Sequence, residues 1–452
     1  MRNIEELVEF ALQLVATETG FSLSYIQKVI LRNSLLENKK TYALIAEENN
    51  YSESYIKFTV APKLWLLLSQ AIGEKVNKAN FLTLLEQQLE KFVAQEHHQT
   101  LKATVMPTAG LTIKRYVLES PEGQVPLASE LYIERSTIEQ TCYQEILQPR
   151  AFIRIKAPRK MGKTSLIARI LDYGSSHNYH TVRLSFYHAG TQVFEKSDRF
   201  LRWFCTNVTR QLGKESRLND YWDEDMGALI NSTIYFQGYL LKELSHPIVL
   251  ALDGIDQLFE YPEVASDFFV LLRSWYEETK DISVWQKLRV VIAHAVEVYI
   301  PLPTHRSPFN VGLAIELPTF SAEQVQDLAE RHGLELTKPE LEQLMKLTDG
   351  FPYLIRLAFY QSTRLKTPVQ TLLQDATTNT GIYQQHLQSQ LWNLEEYPKL
   401  ADAFQQVLTA PIQLEIEVAF KLKSLGLVHL VENQATVSCE LYREYFRQWY
   451  AH

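Results

Sequence analysis

The chain has 452 residues, 46% of them hydrophobic and 22% charged, with a formal net charge of -8. This is ordinary globular composition, and the length exceeds what one hydrophobic core organises, so about two to four domains are expected. The acidic balance argues against a protein whose main task is to coat nucleic acid, because non-specific phosphate binding scales with clustered Lys and Arg.

The first elements read as helices. Asn3 with Glu6 forms a capping box, and Ile4, Leu7, Val8, Ala11, Leu14 and Val15 share one face before Gly20 ends the helix. Such a start is amphipathic and not the apolar core of a signal peptide, and Leu64-Trp65-Leu66-Leu67-Leu68 is too short to span a bilayer; a cytoplasmic protein without membrane contact is expected. The segments 41–48 and 52–57 flank the polar turn Asn49-Asn50-Tyr51, a helix-turn-helix pattern, and Pro62 is expected to start a new helix through Leu64, Leu67, Leu68 and Ile72. In a major groove Ser54 and Lys57 would make the contacts. Acidic and basic side chains are nearly balanced over residues 1–99, which favours a protein partner over DNA. Residues 1–95 are thus expected to form an all-α domain, and 96–123, with Pro107, Gly110, Pro121 and Gly123, a connector whose one candidate strand is Leu111 to Leu118.

The chemistry begins at Ala157-Pro158-Arg159-Lys160-Met161-Gly162-Lys163-Thr164, directly after the apolar run 151–155 and directly before the helical pattern opening at Ser165. A triphosphate needs inward-pointing backbone N–H groups, the positive end of a helix, an ammonium and a hydroxyl for a metal. Gly162 lets the backbone approach, Lys163 reaches the terminal phosphates and Thr164 can bind Mg²⁺. Ala157 stands where the usual pattern has its first glycine; Pro158 biases it toward extended backbone, where a β-carbon is harmless. Pro247-Ile248-Val249-Leu250-Ala251-Leu252-Asp253 reads as a strand buried on both faces, ending in a carboxylate at the edge where parallel sheets bind ligands. Asp253 would hold Mg²⁺ through water beside Thr164, and Asp256 would orient or deprotonate the attacking water, although acidic residues after strands are also common turn formers. Alone, Lys163 reads equally as a solvated lysine and Asp253 as a helix cap.

Downstream, Ser321-Ala322-Glu323-Gln324 caps a helix that ends near His332-Gly333, and further helices follow to about residue 395. The end reads as a winged helix: a helix over 418–425 stopped by Gly426, short strands at 427–431 and 435–438 joined by Glu432-Asn433-Gln434, and a closing helix from Leu441. Cys142, Cys205 and Cys439 fit neither a disulfide framework nor zinc spacing and read as buried thiols.

The core resembles the AAA-like ATPase domain of the STAND class, signal-transduction ATPases with numerous domains, in its cyanobacterial form. The resemblance rests on the phosphate loop together with Tyr132-Ile133-Glu134-Arg135, Phe200-Leu201-Arg202-Trp203-Phe204-Cys205, Leu250-Ala251-Leu252-Asp253, Leu271-Leu272-Arg273-Ser274-Trp275 and Ser307-Pro308-Phe309-Asn310-Val311-Gly312, and covers most of residues 124–452. The amino-terminal segment resembles the helix-turn-helix module of vWA-MoxR-associated conflict-system proteins. The resemblance implies a multidomain α/β protein: a P-loop NTPase core with a parallel sheet over 124–320, a helical lid over 321–395 and a winged helix over 396–452. It also implies that Tyr132 and Arg135 border base and ribose, that His294 senses the γ-phosphate, and that Pro352 in Gly350-Phe351-Pro352 packs near adenine. With Ala157 to Ser165 these make the expected nucleotide site for ATP or ADP. Each also has a plainer reading, Tyr132 as core, His294 as a buried histidine and Gly350 to Pro352 as a helix stop and restart. Gly254 stands where many such ATPases carry a catalytic glutamate, so hydrolysis is expected to be slow or to rest on Asp256, and Arg159, Arg273 and Arg356 are candidate phosphate partners. The implied function is an ATP-driven switch in signalling or defence that recruits a protein partner and self-associates; the alternative is an ATP-gated, DNA-binding transcription regulator.

Overall fold

The computed structural model describes residues 118–451 apart from 136, 296–306 and 379, and parts of 7–88. The chain forms two compact units, Met1–Ile113 and Lys114–His452. Among the described residues no helix is long and apolar enough to cross a membrane.

In the first unit, helices at Tyr25–Leu35, Tyr42–Glu48 and Ala61–Ile72 pack apolar faces together, and Ile30, Leu31, Ile45, Leu64, Leu68 and Phe81 are buried with Leu7, Ala11 and Val15. The Trp65 indole donates to the Tyr42 hydroxyl at 3.0 Å, fixing one helix on another. The expected cap at Asn3 and Glu6, the stop at Gly20, the turn at Asn49 to Tyr51, the contact residue Ser54 and the strand from Leu111 to 117 lie outside the described residues. Pro62 stands in the first turn of the helix Ala61–Ile72, as expected, where its missing N–H costs nothing. A turn of π-helix at Ile56–Val60 leads directly into that helix, and Val60 before it already has helical φ/ψ.

The second unit is built on five parallel strands, β1 (Phe152–Lys156), β2 (His180–Ser185), β3 (Ile248–Asp253), β4 (Leu288–His294) and β5 (Leu313–Glu316), in the order β2-β3-β4-β1-β5. β3 and β4 are buried at every position, as their unbroken apolar sequences require of a sheet covered on both faces. Successive side chains alternate faces. Val249, Ala251, Val291 and Ala293 pack with Leu166, Ile167 and Ile170 of the helix Lys163–Ser176, whereas Leu250, Leu252, Val290 and Ile292 pack into an aromatic layer of Phe200, Phe204, Phe268 and Trp275. That layer comes from the helices Ser197–Gln211 and Pro262–Glu278; Phe204 meets Phe268 edge-on at 5.1 Å. All three cysteines are buried free thiols.

Helices at Ala322–Arg331, Lys338–Thr348, Pro352–Leu365, Val369–Gln374 and Gln384–Glu395 follow. The first is closed by a capping box between Ser321 and Gln324, where the sequence placed it. The chain then folds as helices Pro398–Thr409 and Ile416–Ser424, the antiparallel hairpin β6 (Val428–Val431) and β7 (Gln434–Val437), and the helix Glu440–Tyr450. Glu432 and Asn433, both at positive φ, make the two-residue turn.

Gly312 shows how closely β5 is fitted to β1. At φ +68 it carries the chain into β5, and a β-carbon there would stand 2.0 Å from the Phe152 carbonyl oxygen, which cannot move without breaking β1. Gly312→Ala is expected to destabilise the fold by roughly 2 to 4 kcal/mol, combining a left-handed backbone with a backbone clash. Gly123→Ala, at φ +78 with nothing within 4 Å of the added carbon, should lose only about 1 kcal/mol. Urea unfolding midpoints of the two variants check the contrast.

Candidate functional site

β1 delivers the chain to its carboxyl edge at Lys156, and the loop 157–162 turns it into the helix that starts at Lys163. Two residues of that turn have left-handed backbone, Lys160 at φ +65 and Gly162 at φ +99, which aims successive N–H groups toward one concavity. The Lys163 ammonium donates to the carbonyls of Ala157 (2.8 Å) and Pro158 (2.9 Å), so the lysine braces the loop it belongs to. Burial draws its pKa down to about 8, against the upward pull of Asp256 and Asp253. One residue on, the Thr164 hydroxyl donates to Asp253 Oδ2 at 2.8 Å, joining the loop after β1 to the end of β3. A hydroxyl and a buried carboxylate side by side are a fitting pair for a hard divalent cation. Among the described residues no group of three His, Cys, Asp or Glu is placed to hold a metal, so phosphate oxygens and water would complete the shell of a cation at this pair.

A cavity of about 290 Å³ opens over this loop, lined by Arg159 to Ser165, Tyr132, Arg135, Asp253 and Pro352, all but two of the expected site residues apart from Ala157 and Pro158 at its base. Arg135 is buried and works on the loop directly: Nη2 donates to the Met161 carbonyl at 2.7 Å and Nε to the Pro318 carbonyl at 3.2 Å. The Tyr132 hydroxyl donates to Glu139 Oε1 at 2.6 Å, and the Arg169 guanidinium lies 3.4 Å over its ring. Burial and the adjacent Glu139 carboxylate both hold this phenol protonated. Pro352 opens the helix Pro352–Leu365 after Gly350 at φ +66, and Arg356 of that helix also reaches the cavity, 3.9 Å from Glu119.

One wall straddles the expected boundary between the connector, ending at 123, and the core, starting at 124. Pro121, Glu122, Gly123, Gln124 and Val125 form a strap across the cavity. Its anchors come from four directions: the Val125 N–H donates to Ser165 Oγ at 3.0 Å, the Tyr353 hydroxyl donates to Glu122, Lys160 lies 3.9 Å from Glu122, and Arg183 donates to Gln124. Lys160 is also stacked 3.6 Å over the Tyr353 ring. None of these partners was legible in the sequence, since each pairs residues far apart along the chain.

Asp256 and His294 do not line the cavity. Asp256 is buried in the short helix Ile255–Glu260; its Oδ1 accepts the Ala295 N–H at 3.0 Å and its Oδ2 the Tyr187 hydroxyl at 3.2 Å. It opens instead onto a neighbouring cavity with Arg159, Glu260, Glu396 and Lys421. Tyr187, which sequence reading missed, lines the cavity over the loop and donates its hydroxyl to Asp256 outside it. Gly254 is at φ +74 with the Tyr187 ring where its β-carbon would be, 2.3 Å away, so no side chain fits there while Tyr187 holds this position. His294 is buried at the end of β4, its ring 5.3 Å from Phe309, and its carbonyl accepts the Ala157 N–H at 3.4 Å. Arg273 bonds Asn310 and Glu277 and stands apart from the site.

The loop is also tied to the far end of the chain. The Arg159 N–H donates to the Ser424 carbonyl at 3.1 Å, and Lys423 reaches Glu316 at 3.5 Å.

Residues 2–88 match the family described as the vWA-MoxR associated protein N-terminal helix-turn-helix. No curated protein matches the chain. Among solved structures, a Walker-type ATPase of Pyrococcus abyssi aligns at 12% identity over 70% of this chain and 96% of its own, with a TM-score of 0.49. The ADP form of the Aeropyrum pernix ORC2 protein aligns at 14% identity over 73% and 97% (TM-score 0.41), and Thermotoga maritima RuvB at 15% over 69% and 94% (TM-score 0.38). Residues 120–448, well over half of the chain, match the family described as the AAA-like domain, and the chain belongs to that family.

Proposed function

We propose that the protein is a STAND-type molecular switch that binds ATP with Mg²⁺, hydrolyses it slowly, and converts nucleotide state into a rearrangement of core, lid and carboxyl-terminal winged helix. The observation that carries this reading is the double attachment of one loop. Residues 157–165 hold the phosphate-binding elements, and the same loop is hydrogen-bonded through Arg159 to Ser424 and stacked through Lys160 on Tyr353. A ligand that reshapes this loop therefore changes contacts to the lid and to the last lobe at once.

In this mechanism the loop amides and the Lys163 ammonium take the phosphate oxygens, Lys163 exchanging the Ala157 and Pro158 carbonyls for them. Thr164 and Asp253 hold Mg²⁺, which when bound neutralises phosphate charge. Arg135 keeps Met161 in place, and Tyr132, the strap and Pro352 enclose the base and ribose end. Asp256 is the residue proposed to orient or deprotonate water; Tyr187 already donates to one of its oxygens, and a carboxylate with four lone-pair sites retains room for a water. His294, at the end of β4, is proposed to respond to the terminal phosphate through its carbonyl bond to the base of the loop. Slow turnover is supported by Gly254, which leaves the step after Asp253 without a carboxylate.

In the cell this switch would recruit a protein partner through its amino-terminal module and self-associate in the ATP state, in the cytoplasm, in signalling or defence. The match of residues 2–88 to a helix-turn-helix family favours, as a second reading, an ATP-gated DNA-binding regulator. Gel-shift binding whose affinity falls steeply with salt supports the regulator, and salt-insensitive capture of a protein supports the switch.

Lys163→Ala is expected to weaken ATP and ADP binding by about a hundredfold, the loss of one charged phosphate contact in a buried site; unchanged affinity in a fluorescent-nucleotide titration refutes the site. Asp256→Asn should lower turnover by about a hundredfold or more while ADP affinity stays within about twofold, and normal hydrolysis by this variant removes Asp256 from the chemistry. Nucleotide affinity should be flat below pH 8 and fall above it, by up to about tenfold per unit. The sign follows from Lys163: its pKa is about 8 in the free protein, phosphate raises it, and binding above pH 8 must therefore take up a proton. Calorimetric titrations from pH 6.5 to 9.5, in buffers of different ionisation heat, read that uptake directly.

A further inference from the structure

The strand register explains an interaction that the switch mechanism does not use. β2 and β3 pair in parallel with Arg183 opposite Ala251 and Ser185 opposite Asp253. Val182 and Leu184 turn into the aromatic layer, so alternation sends Arg183 to the other face, where Ala251 and the phosphate-loop helix lie and where Asp253 ends its strand. Arg183 and Asp253 are diagonal neighbours on that face, a separation a long side chain bridges. Its Nη2 donates to Asp253 Oδ2 at 3.2 Å, the same oxygen that accepts the Thr164 hydroxyl. Asp253 is 6% exposed at its side chain and Arg183 is 32% exposed, so the carboxylate is fixed while the guanidinium has water to withdraw into. The other end of the fork, Nη1, donates to Gln124 Oε1 on the strap.

We propose that Arg183 is a positioning residue that acts as an internal counter-cation of Asp253, is displaced from it when a divalent cation arrives, and passes that exchange to the strap through Gln124. The inference rests on the reading of Thr164 and Asp253 as the metal pair. A dication at that pair and a guanidinium on the same carboxylate oxygen repel one another at close range, in a site shielded from water. Without metal, Arg183 neutralises Asp253 and spares incoming phosphates its charge. With metal, it must give up Asp253, and its second bond draws Gln124 with it. Gln124 neighbours Glu122, which holds Tyr353 of the lid and Lys160 of the loop, so a metal-bound and a metal-free nucleotide would present different straps to the lid. Arg183 thus lowers the affinity for metal and makes nucleotide binding less dependent on it.

The test uses Mn²⁺ in place of Mg²⁺, counted by electron paramagnetic resonance, on the full chain with saturating ADP. Arg183→Gln is expected to tighten Mn²⁺ binding about tenfold, and to weaken ADP binding about tenfold in EDTA, because Asp253 then faces the phosphates uncompensated. Arg183→Lys, which keeps the charge, should stay closer to the wild type on both readings, a rescue that a merely structural role does not predict. Should R183Q not fold, Gln124→Ala decides: with the fork untethered, Mn²⁺ affinity should rise about threefold. Mn²⁺ affinity within twofold of wild type in the folded R183Q protein, or in Q124A if it replaces it, overturns the inference. Lys163→Ala separates the two levels: if it leaves ADP affinity intact the nucleotide site itself is wrong, whereas if it abolishes binding and R183Q leaves Mn²⁺ affinity unmoved, only the role of Arg183 fails.

Discussion

The hydrogen bond from Thr164 to Asp253 is the constraint on which the site depends. It joins residues 89 positions apart, and it forms only because β3 pairs with β4 and β4 with β1, which brings the carboxyl ends of β1 and β3 to one edge of the sheet. The sheet holds both ends rigidly, since β3 and β4 are buried along their whole length and cannot slide without turning apolar side chains to the wrong face. The loop after β1 spans the gap between these supports. Its non-glycine left-handed residue, Lys160, is held there by the Tyr353 ring and Glu122, so local strain is compensated by contacts to the helix Pro352–Leu365 and the strap.

Those contacts continue beyond the helix Pro352–Leu365. The Tyr353 ring lies 5.2 Å from the His386 ring, and His386 Nε2 is 2.7 Å from the Tyr442 hydroxyl in the helix that closes the chain. Burial, with the nearby Lys160 charge, draws the His386 pKa down to about 3, so it is neutral at cellular pH and pairs with Tyr442 as an uncharged hydrogen bond. The route from phosphate loop to last helix is thus a chain of packed rings and single hydrogen bonds. In the proposed switch this is the route by which a shift of Lys160 would reach the last helix.

Much of this frame was legible in the sequence, for identifiable reasons. β3 announced itself because a doubly covered strand admits only apolar residues until it reaches the edge, where Asp253 ends it. The phosphate loop is a local pattern, and local patterns survive in one dimension. The capping box at Ser321 and Gln324 is local too. Pro62 in the first turn of the helix Ala61–Ile72 is a local signal of the same kind. The strap, Arg183 and Tyr187 were illegible for a different cause. Arg183 matters only through the register of β2 on β3, Tyr187 only through its ring on Gly254, and Glu122 only through Tyr353, 231 residues away. Pro121, Glu122 and Gly123 looked like the end of a connector because their composition is that of a loop, and their partners are scattered across the fold.

Gly254 and Tyr187 show how an absence in a motif becomes a structural statement. A carboxylate at position 254 would require both a backbone other than φ +74 and the removal of an aromatic ring from 2.3 Å. The two features are linked, because the ring occupies the space that the missing side chain leaves. Tyr187 then turns its hydroxyl to Asp256, donating to Oδ2 at 3.2 Å. The ring of Tyr187 and the glycine at 254 thus define one another, and neither position changes without the other. In the proposed switch, a step after Asp253 that carries no carboxylate would slow hydrolysis and keep the nucleotide-bound arrangement long enough for a partner to read it.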